Sequence, residues 1–480
     1  MPQATKSIYI NGVWKASENG KQIDMLAPSS GKKIGAISRG DKADIDKAVF
    51  AARSAFEGVW GQMAAVDRGR LLSRLGVKIL ENIEQLASIE ALDTGKPMTL
   101  ARNDITATAR YFEYYGGAAD KIHGETIPFL NGYQVMILRE PRGVAGHIIP
   151  WNYPAQMYGR TIACALAAGN TTVLKPAEEA CMSIIRLTEL AHEVGVPPGV
   201  INLVTGLGEE AGAALSAHNG IDFMSFTGSP EVGTLIQKAA AENHVPCVLE
   251  LGGKSPQIVF DDANVDEAIR VIIAAIIQNT GQTCSAGSRV LVQRSIFEEF
   301  MDALAKRFRS IKVGSHESDL DCGPVISQVQ CERVKGFLER ARKNGIELIA
   351  EGSLDETAVA SGFYVTPALL GPVDPASELA QDEVFGPVLA AIPFDDEDDA
   401  IAIANGTQFG LIAGVWTESG ARQIRMAKRL RVGQVYLNAY GAGGGIELPF
   451  GGFKKSGHGR EKGFEALKEY TVSKTVVIKH

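Results

Sequence analysis

The chain has 480 residues, 45% of them apolar and 22% charged, with a net charge of −8 and 52 glycines. That length suggests about three domains, and the acidic balance excludes the basic footprint of a nucleic-acid binder. Glycine exceeds its usual ~7% with no triplet period and no single tract, which excludes collagen and low-complexity disorder and leaves turns and close backbone approaches at many separate places.

Residues 1–7 lack the basic-then-apolar order of a secretory signal, and the first forty residues read as short extended pieces and turns. Two amphipathic helices follow. Ile45, Ala48, Val49, Ala52 and Phe56 share one face, and Leu71, Leu72, Leu75, Ile79 and Ile83 share another. The second helix is expected to stop near Gly95 and Pro97, and 99–121 reads as a further helix rich in tyrosine. From about 143 the texture changes to strand 144–149, helix 155–168, strand 171–174, helix 180–194, strand 201–204, helix 209–217, strand 223–226, helix 231–241 and strand 248–251. This alternation predicts a parallel sheet covered by helices on both faces, with ligands beyond the carboxyl ends of its strands. A second alternation, from 255 to about 440, predicts a second α/β domain. The acidic run 395–399 reads as a helix start, its carboxylates near the positive end of the dipole. Segments 133–139 and 471–479 are strand-like yet belong to neither block. The uncharged windows 143–159 and 271–288 are broken by Pro, Asn, Gln and Gly, so neither predicts a membrane span.

Cys164, Cys181, Cys247, Cys284, Cys322 and Cys331 lie far apart, without C-x-x-C spacing or a histidine placed as co-ligand. This pattern argues against a metal site and a disulfide framework and fits a reducing cytoplasm. Cys284 follows the apolar helix 268–277 between Gly281 and Gly287, whereas Cys164 and Cys181 read as lying inside apolar helices. A thiolate nucleophile needs access and positive potential, and Glu250, at the end of a strand, could serve as base if the fold brings it near. On these residues alone, Cys284 stays open between a nucleophile and an ordinary loop cysteine. The strand-to-helix turn Phe226-Thr-Gly-Ser-Pro-Glu-Val-Gly233 suits close approach of a pyrophosphate, although neither it nor Gly206-Leu-Gly208 is a G-x-G-x-x-G. Lys175-Pro-Ala-Glu178, also after a strand, stays open between a ribose clamp and a solvated turn.

These segments occur in a definite order: Pro150-Trp-Asn152, Lys175-Pro-Ala-Glu178, Phe226-Thr-Gly-Ser229, Glu250-Leu-Gly-Gly-Lys254 and Gly281-Gln-Thr-Cys284. Glu383-Val-Phe-Gly-Pro387 and Pro449-Phe-Gly-Gly452 with Ser456-Gly-His-Gly-Arg-Glu461 follow. In that order and spacing the chain resembles the NAD(P)-dependent aldehyde dehydrogenase superfamily, of the non-acylating, hydrolytic type, from about residue 8 to the C-terminus. The resemblance implies an α/β fold with a Rossmann-type parallel-sheet NAD-binding domain over 1–122 and 142–251. An α/β catalytic domain over 252–448 would follow, with bridging strands at 123–141 and 466–480 that pair across subunits of a homodimer or homotetramer. The return segment 449–465 would line the active site. Cys284 would attack the aldehyde, with its oxyanion held by the Asn152 amide and the Cys284 N–H. Hydride loss to the nicotinamide would leave a thioester, which Glu250 would hydrolyse through water.

The same resemblance assigns the cofactor contacts to Ile149, Trp151, Lys175, Glu178, Gly228, Ser229, Gly233, Leu251, Glu383 and Phe385. Glu178 beside the adenosine ribose would favour NAD over NADP, because a 2′-phosphate there would be repelled. The substrate pocket is assigned to Tyr153, Met157, Arg160, Gln278, Thr283, Ser285, Gly444 and Phe450. Arg160 stands where succinate semialdehyde dehydrogenases place a carboxylate-gripping arginine, but Gln278 replaces their second arginine. Arg160 therefore stays open between a substrate anchor and a structural or gatekeeping residue. Thr161 stands where relatives often carry lysine, so the relay ascribed to that lysine with Glu461 lacks its lysine here. His458, in its glycine-rich turn, reads as structural. The run Gly441-Ala-Gly-Gly-Gly445 predicts a wide mouth, so a semialdehyde or a bulky, aromatic aldehyde is expected. A CoA-acylating enzyme would usually lack Glu250, a cysteine esterase would need a histidine partner, and a non-enzymatic structural protein would be expected to lose these residues.

Overall fold

The computed structural model describes residues 7–441 and 445–480. Its first sheet has eight strands in the order Val13–Lys15, Ile8–Ile10, Ile201–Leu203, Thr171–Pro176, Val144–Ile149, Phe223–Thr227, Cys247–Glu250 and Gly457–His458. The five strands from Ile201–Leu203 to Cys247–Glu250 are parallel. The flanking strands differ from the purely parallel expectation. Ile8–Ile10 and Gly457–His458 both run antiparallel to their neighbours, being added from chain ends that need no crossover helix. Strand order reverses between Val144–Ile149 and Phe223–Thr227, so a crevice opens beyond Ile149 and Thr227.

The second sheet has seven strands in the order Leu348–Glu351, Ala368–Leu370, Val388–Phe394, Arg289–Gln293, Pro256–Val259, Ile412–Trp416 and Gln434–Leu437. All its pairs are parallel except the edge pair of Leu348–Glu351 with Ala368–Leu370. The two strand-like segments that belonged to neither block form a third sheet, in which Tyr133–Pro141 lies between Thr471–Lys479 and Glu125–Ile127.

The helix expected from Leu71 to Gly95 is two helices, Ala65–Glu81 and Ile83–Thr94, broken at Asn82. The apolar repeat alone could not locate this break because both halves bury one face. The acidic run begins a helix as expected: the Asp396 side chain caps Glu397–Asn405 by accepting from Asp399 N–H at 2.9 Å. Cys181 lies not inside a helix but at the cap before Met182–Glu193.

Helix Pro154–Ala167 is apolar nearly all round and lies buried along its whole length, packed on Met98–Ala118. Arg160 is its one charged residue. A buried charge must find partners within the protein, which bears on the site.

Candidate active site

Five separate segments meet at the crevice. The cysteine loop begins where helix Val265–Ile277 ends, and Asn279, Thr280 and Gly281 then take three successive left-handed conformations (φ 48°, 55° and 72°). This unusual path is held by Thr280 Oγ1 donating to Gly323 O at 2.9 Å and by Asn279 Nδ2 donating to Asn152 O at 2.9 Å. The Gly281 backbone lies so close to the loop around Glu383 that an added Cβ would come within 2.2 Å of Gly386 C and O. Gly253 is pressed in the same way on Cys284, where a Cβ would meet the carbonyl oxygen at 2.2 Å. Cys284 is thereby fastened between the Glu250 segment and the Glu383 segment, although 34 residues separate it from the first and 99 from the second.

Asn152 follows strand Val144–Ile149, and its Nδ2 donates to Gln282 O at 2.9 Å, two residues before Cys284. Its own carbonyl accepts from Lys96 Nζ at 3.0 Å. Lys96 is enclosed, with Glu90 at 3.3 Å and Asp104 at 2.5 Å. The Gly95–Pro97 helix stop thus conceals a buried ammonium group that braces Asn152, a role with no signal in the sequence.

Trp151, Asn152, Gly228, Ser229, Glu250, Leu251, Cys284, Glu383 and Phe385 line a single cavity of about 810 Å³. Ser229 caps helix Pro230–Glu242, whose N-terminus faces that cavity. Trp151 and Phe385 meet edge to face with centroids 5.4 Å apart. Phe385 has φ 58°, and its loop is tied by Gln330 Nε2 to Phe385 O and by Arg333 Nη2 to Glu383 O, each at 2.6 Å. The Glu383 carboxylate accepts from Gly253 N–H at 2.8 Å. These groups suit a dinucleotide: a helix N-terminus for phosphates, a fixed carboxylate for a ribose hydroxyl, and two aromatic rings at the cysteine end.

Ile149, Lys175, Glu178 and Gly233, named from the sequence as cofactor contacts, do not line that cavity. Ile149 ends its strand and accepts from Ala177 N–H at 3.0 Å. Lys175 is the penultimate residue of the adjacent strand, and its Nζ donates to Glu178 Oε2 at 2.7 Å. Gly233 faces Leu251, whose Cδ2 would lie 2.6 Å from an added Cβ, so it sets the helix–strand distance.

On the far side of Cys284, Phe450 packs with Leu411, Ile412, Tyr436 and Tyr440 against the cysteine. Tyr153 lies under the Lys96 ammonium, 4.6 Å from the ring centroid. Thr283 Oγ1 and Ser285 Oγ are 3.4 Å apart, and Tyr440 OH donates to Ser285 O at 2.8 Å. Gln278 is exposed at the end of its helix, and Met157 Sδ is 3.9 Å from Arg160 Nη1. Gly444 and its neighbours 442 and 443 lie outside the described residues.

The Arg160 guanidinium is committed to its own chain. It contacts Glu461 through Nε, lies 3.7 Å from Glu250 Oε1 through Nη2 and stacks over Phe450 at 4.5 Å. Burial pushes the Cys284 thiol up to about 12, opposed by the Arg160 charge, and burial likewise raises the Glu250 carboxyl. Among the described residues no cluster of side chains has the makings of a metal site. No helix there is long and apolar enough to cross a membrane.

Comparison with known proteins agrees with this arrangement. The model of the Aldehyde dehydrogenase family matches residues 14–476. An aldehyde dehydrogenase of Aspergillus niger is 42% identical over 98% of this chain and 94% of its own length. Retinal dehydrogenase 2 of Homo sapiens is 41% identical over 98% and 91%. The NAD+ complex of an aldehyde dehydrogenase from Bacillus cereus superposes with a TM-score of 0.96 at 41% identity, covering 98% of this chain and 96% of that one.

Proposed function

The chain belongs to the aldehyde dehydrogenase family as an NAD-dependent member, and from that premise we propose that it oxidises a bulky, uncharged aldehyde to the carboxylic acid by covalent catalysis at Cys284. The observation that carries this reading is the meeting of Cys284, Asn152, Glu250 and Glu383 at one cavity. NAD bound along that groove supplies the hydride acceptor. Gly228, Ser229 and the helix N-terminus would hold its phosphates, Lys175 and Glu178 the adenosine ribose, and Glu383 with Phe385 the nicotinamide end. Glu178 supports a preference for NAD over NADP, because its carboxylate accepts from a 2′-hydroxyl and repels a 2′-phosphate.

Cys284 Sγ, as the thiolate, adds to the carbonyl carbon, and the oxyanion falls to Asn152 Nδ2 and the Cys284 N–H. Loss of hydride from that adduct leaves a thioester on Sγ. Glu250 then takes a proton from water as the water oxygen attacks the thioester, releasing the acid and the Cys284 thiolate. A carboxylate at the cavity wall supports hydrolysis over transfer to CoA. The aromatic and apolar surroundings of Cys284, together with an Arg160 already paired to carboxylates, support a bulky uncharged aldehyde over a semialdehyde.

We assign 1–122 with 142–251 to cofactor binding and 252–448 to catalysis, with 449–465 returning to the site. The solvent-facing strand Thr471–Lys479 supports a homo-oligomer, and six free cysteines support a cytoplasmic location. The test is NADH formation over a panel of aldehydes, with and without CoA, by the wild type and Cys284→Ala. NADH formation is expected with bulky uncharged aldehydes, independent of CoA and absent in the variant. Unchanged NADH formation by Cys284→Ala would overturn the covalent reading.

A further inference from the structure

Arg160 is the one charge on a fully buried helix, and the chemistry above gives it no task. Its partners are arranged in a chain. Ser225 Oγ donates to Glu461 Oε1 at 3.0 Å, Glu461 contacts Arg160 Nε, and Arg160 Nη2 faces Glu250 Oε1 at 3.7 Å. Glu461 is itself strapped in place by paired backbone hydrogen bonds with Phe450, at 2.7 and 2.8 Å. The strap continues the segment in which Gly457–His458 pairs with strand Cys247–Glu250, so the two carboxylates that share Arg160 are tied through one sheet edge. Phe450 also supports the guanidinium face at 4.5 Å and packs on Cys284. Neither Glu250 oxygen has a hydrogen-bond partner among the described residues.

We propose that Arg160 is a positioning residue for the base. It holds the Glu250 carboxylate at a fixed distance from Glu461 and favours its anion for the water that opens the thioester. The inference rests on the reading of Glu250 as hydrolytic base. One guanidinium shared by two buried carboxylates, through Nε and Nη2, favours the anion of each. Without Arg160, burial and the Glu461 charge both disfavour the Glu250 anion, while Arg460 and Lys462 of the return segment still favour it. The other titratable groups facing Arg160 are Tyr111, from helix Met98–Ala118, and Cys284. An arginine held in this way has Nε and Nη2 turned to its own carboxylates and only Nη1, 3.9 Å from Met157 Sδ, outside those pairs.

The experiment separates the two half-reactions. In Arg160→Met the first-turnover burst of NADH should slow less than about threefold, while steady-state kcat at neutral pH falls at least about tenfold as hydrolysis becomes limiting. The acid limb of kcat should move up by about one pH unit, the lower end of the effect of one adjacent opposite charge. Arg160→Lys should recover part of both. Glu461→Gln removes the competing anion and should move the same limb down, which keeps the test decisive if Arg160→Met does not fold. KM for a semialdehyde and for a neutral aldehyde of equal length should change together. The proposal is overturned by a burst that slows as much as kcat, by a limb that stays in place in both charge-changing variants, or by a KM that rises only for the semialdehyde. Glu250→Gln is the reference: if it hydrolyses the thioester at the wild-type rate, the assignment of the base fails, not the role of Arg160.

Discussion

Gly281→Ala tests whether the cysteine loop and the Glu383 loop must touch for the enzyme to work. Two costs can be read from the structure. Gly281 has φ 72°, a conformation that costs alanine about 1–2 kcal/mol. An added Cβ would lie 2.2 Å from Gly386 C and O, both backbone atoms that cannot rotate away. Ordinary carbon contacts begin near about 3.5 Å, so the loops must part by about 1.3 Å. Since about 1 Å of misplacement costs on the order of 10²-fold in rate, kcat should fall about 100-fold. KM for NAD should rise as well, because the displaced loop carries Glu383 and Phe385. The assay is steady-state NADH formation with NAD and aldehyde varied in turn. Gly20→Ala separates strain from displacement: Gly20 has φ 69° but no atom within 4 Å of the added carbon, so its kcat should stay at the wild-type value. A Gly281→Ala enzyme with kcat within about threefold of wild type and an unchanged KM for NAD would refute the reasoning.

Three further outcomes follow from the site. In the proposed mechanism Cys284 acts deprotonated before hydride loss and Glu250 after it, and burial raises both, so each step is favoured at higher pH. The kcat/KM profile should therefore climb through neutrality and keep climbing above about pH 8, and a flat profile from about pH 6 to about pH 9 would contradict the burial argument. Lys96→Met leaves Glu90 and Asp104 buried without their cation, a change of about 3–5 kcal/mol. An unshifted urea midpoint would show that the trio is not buried as described. Glu178→Gln removes the charge that would repel a 2′-phosphate and should cut the NAD-to-NADP ratio of kcat/KM about tenfold, or ~1.4 kcal/mol. An unchanged ratio would place cofactor choice elsewhere.

Local pattern was enough for much of this fold. The run of strands and helices from 143 to 251 was legible because each strand is a short apolar run between glycine or proline and each helix repeats its apolar face. Cys284, Glu250, Asn152, Glu383 and Phe385 were legible as candidates in ordered motifs, since each lies at or just beyond the end of a strand or helix. Lys96 was not: Gly95 and Pro97 explain a helix stop completely, and nothing local reveals that the lysine between them turns inward to the Asn152 carbonyl. The break at Asn82 was hidden because both helices keep an apolar face across it.

The sequence by itself determined the α/β alternation, the order of the motifs and the resemblance that names the candidate groups. Only the tertiary structure decided what they touch. Cys284 meets Gly253 and the Glu383 loop through backbone contacts that glycine permits at Gly253, Gly281 and Gly386, whose partners are far away in the chain. Arg160 was open between a substrate anchor and a structural residue because a guanidinium takes whichever carboxylate the fold brings to it. The return segment brings Glu461, and strand Cys247–Glu250 brings Glu250. A charge on a buried helix must be paired, and which partner pairs it is a property of three dimensions.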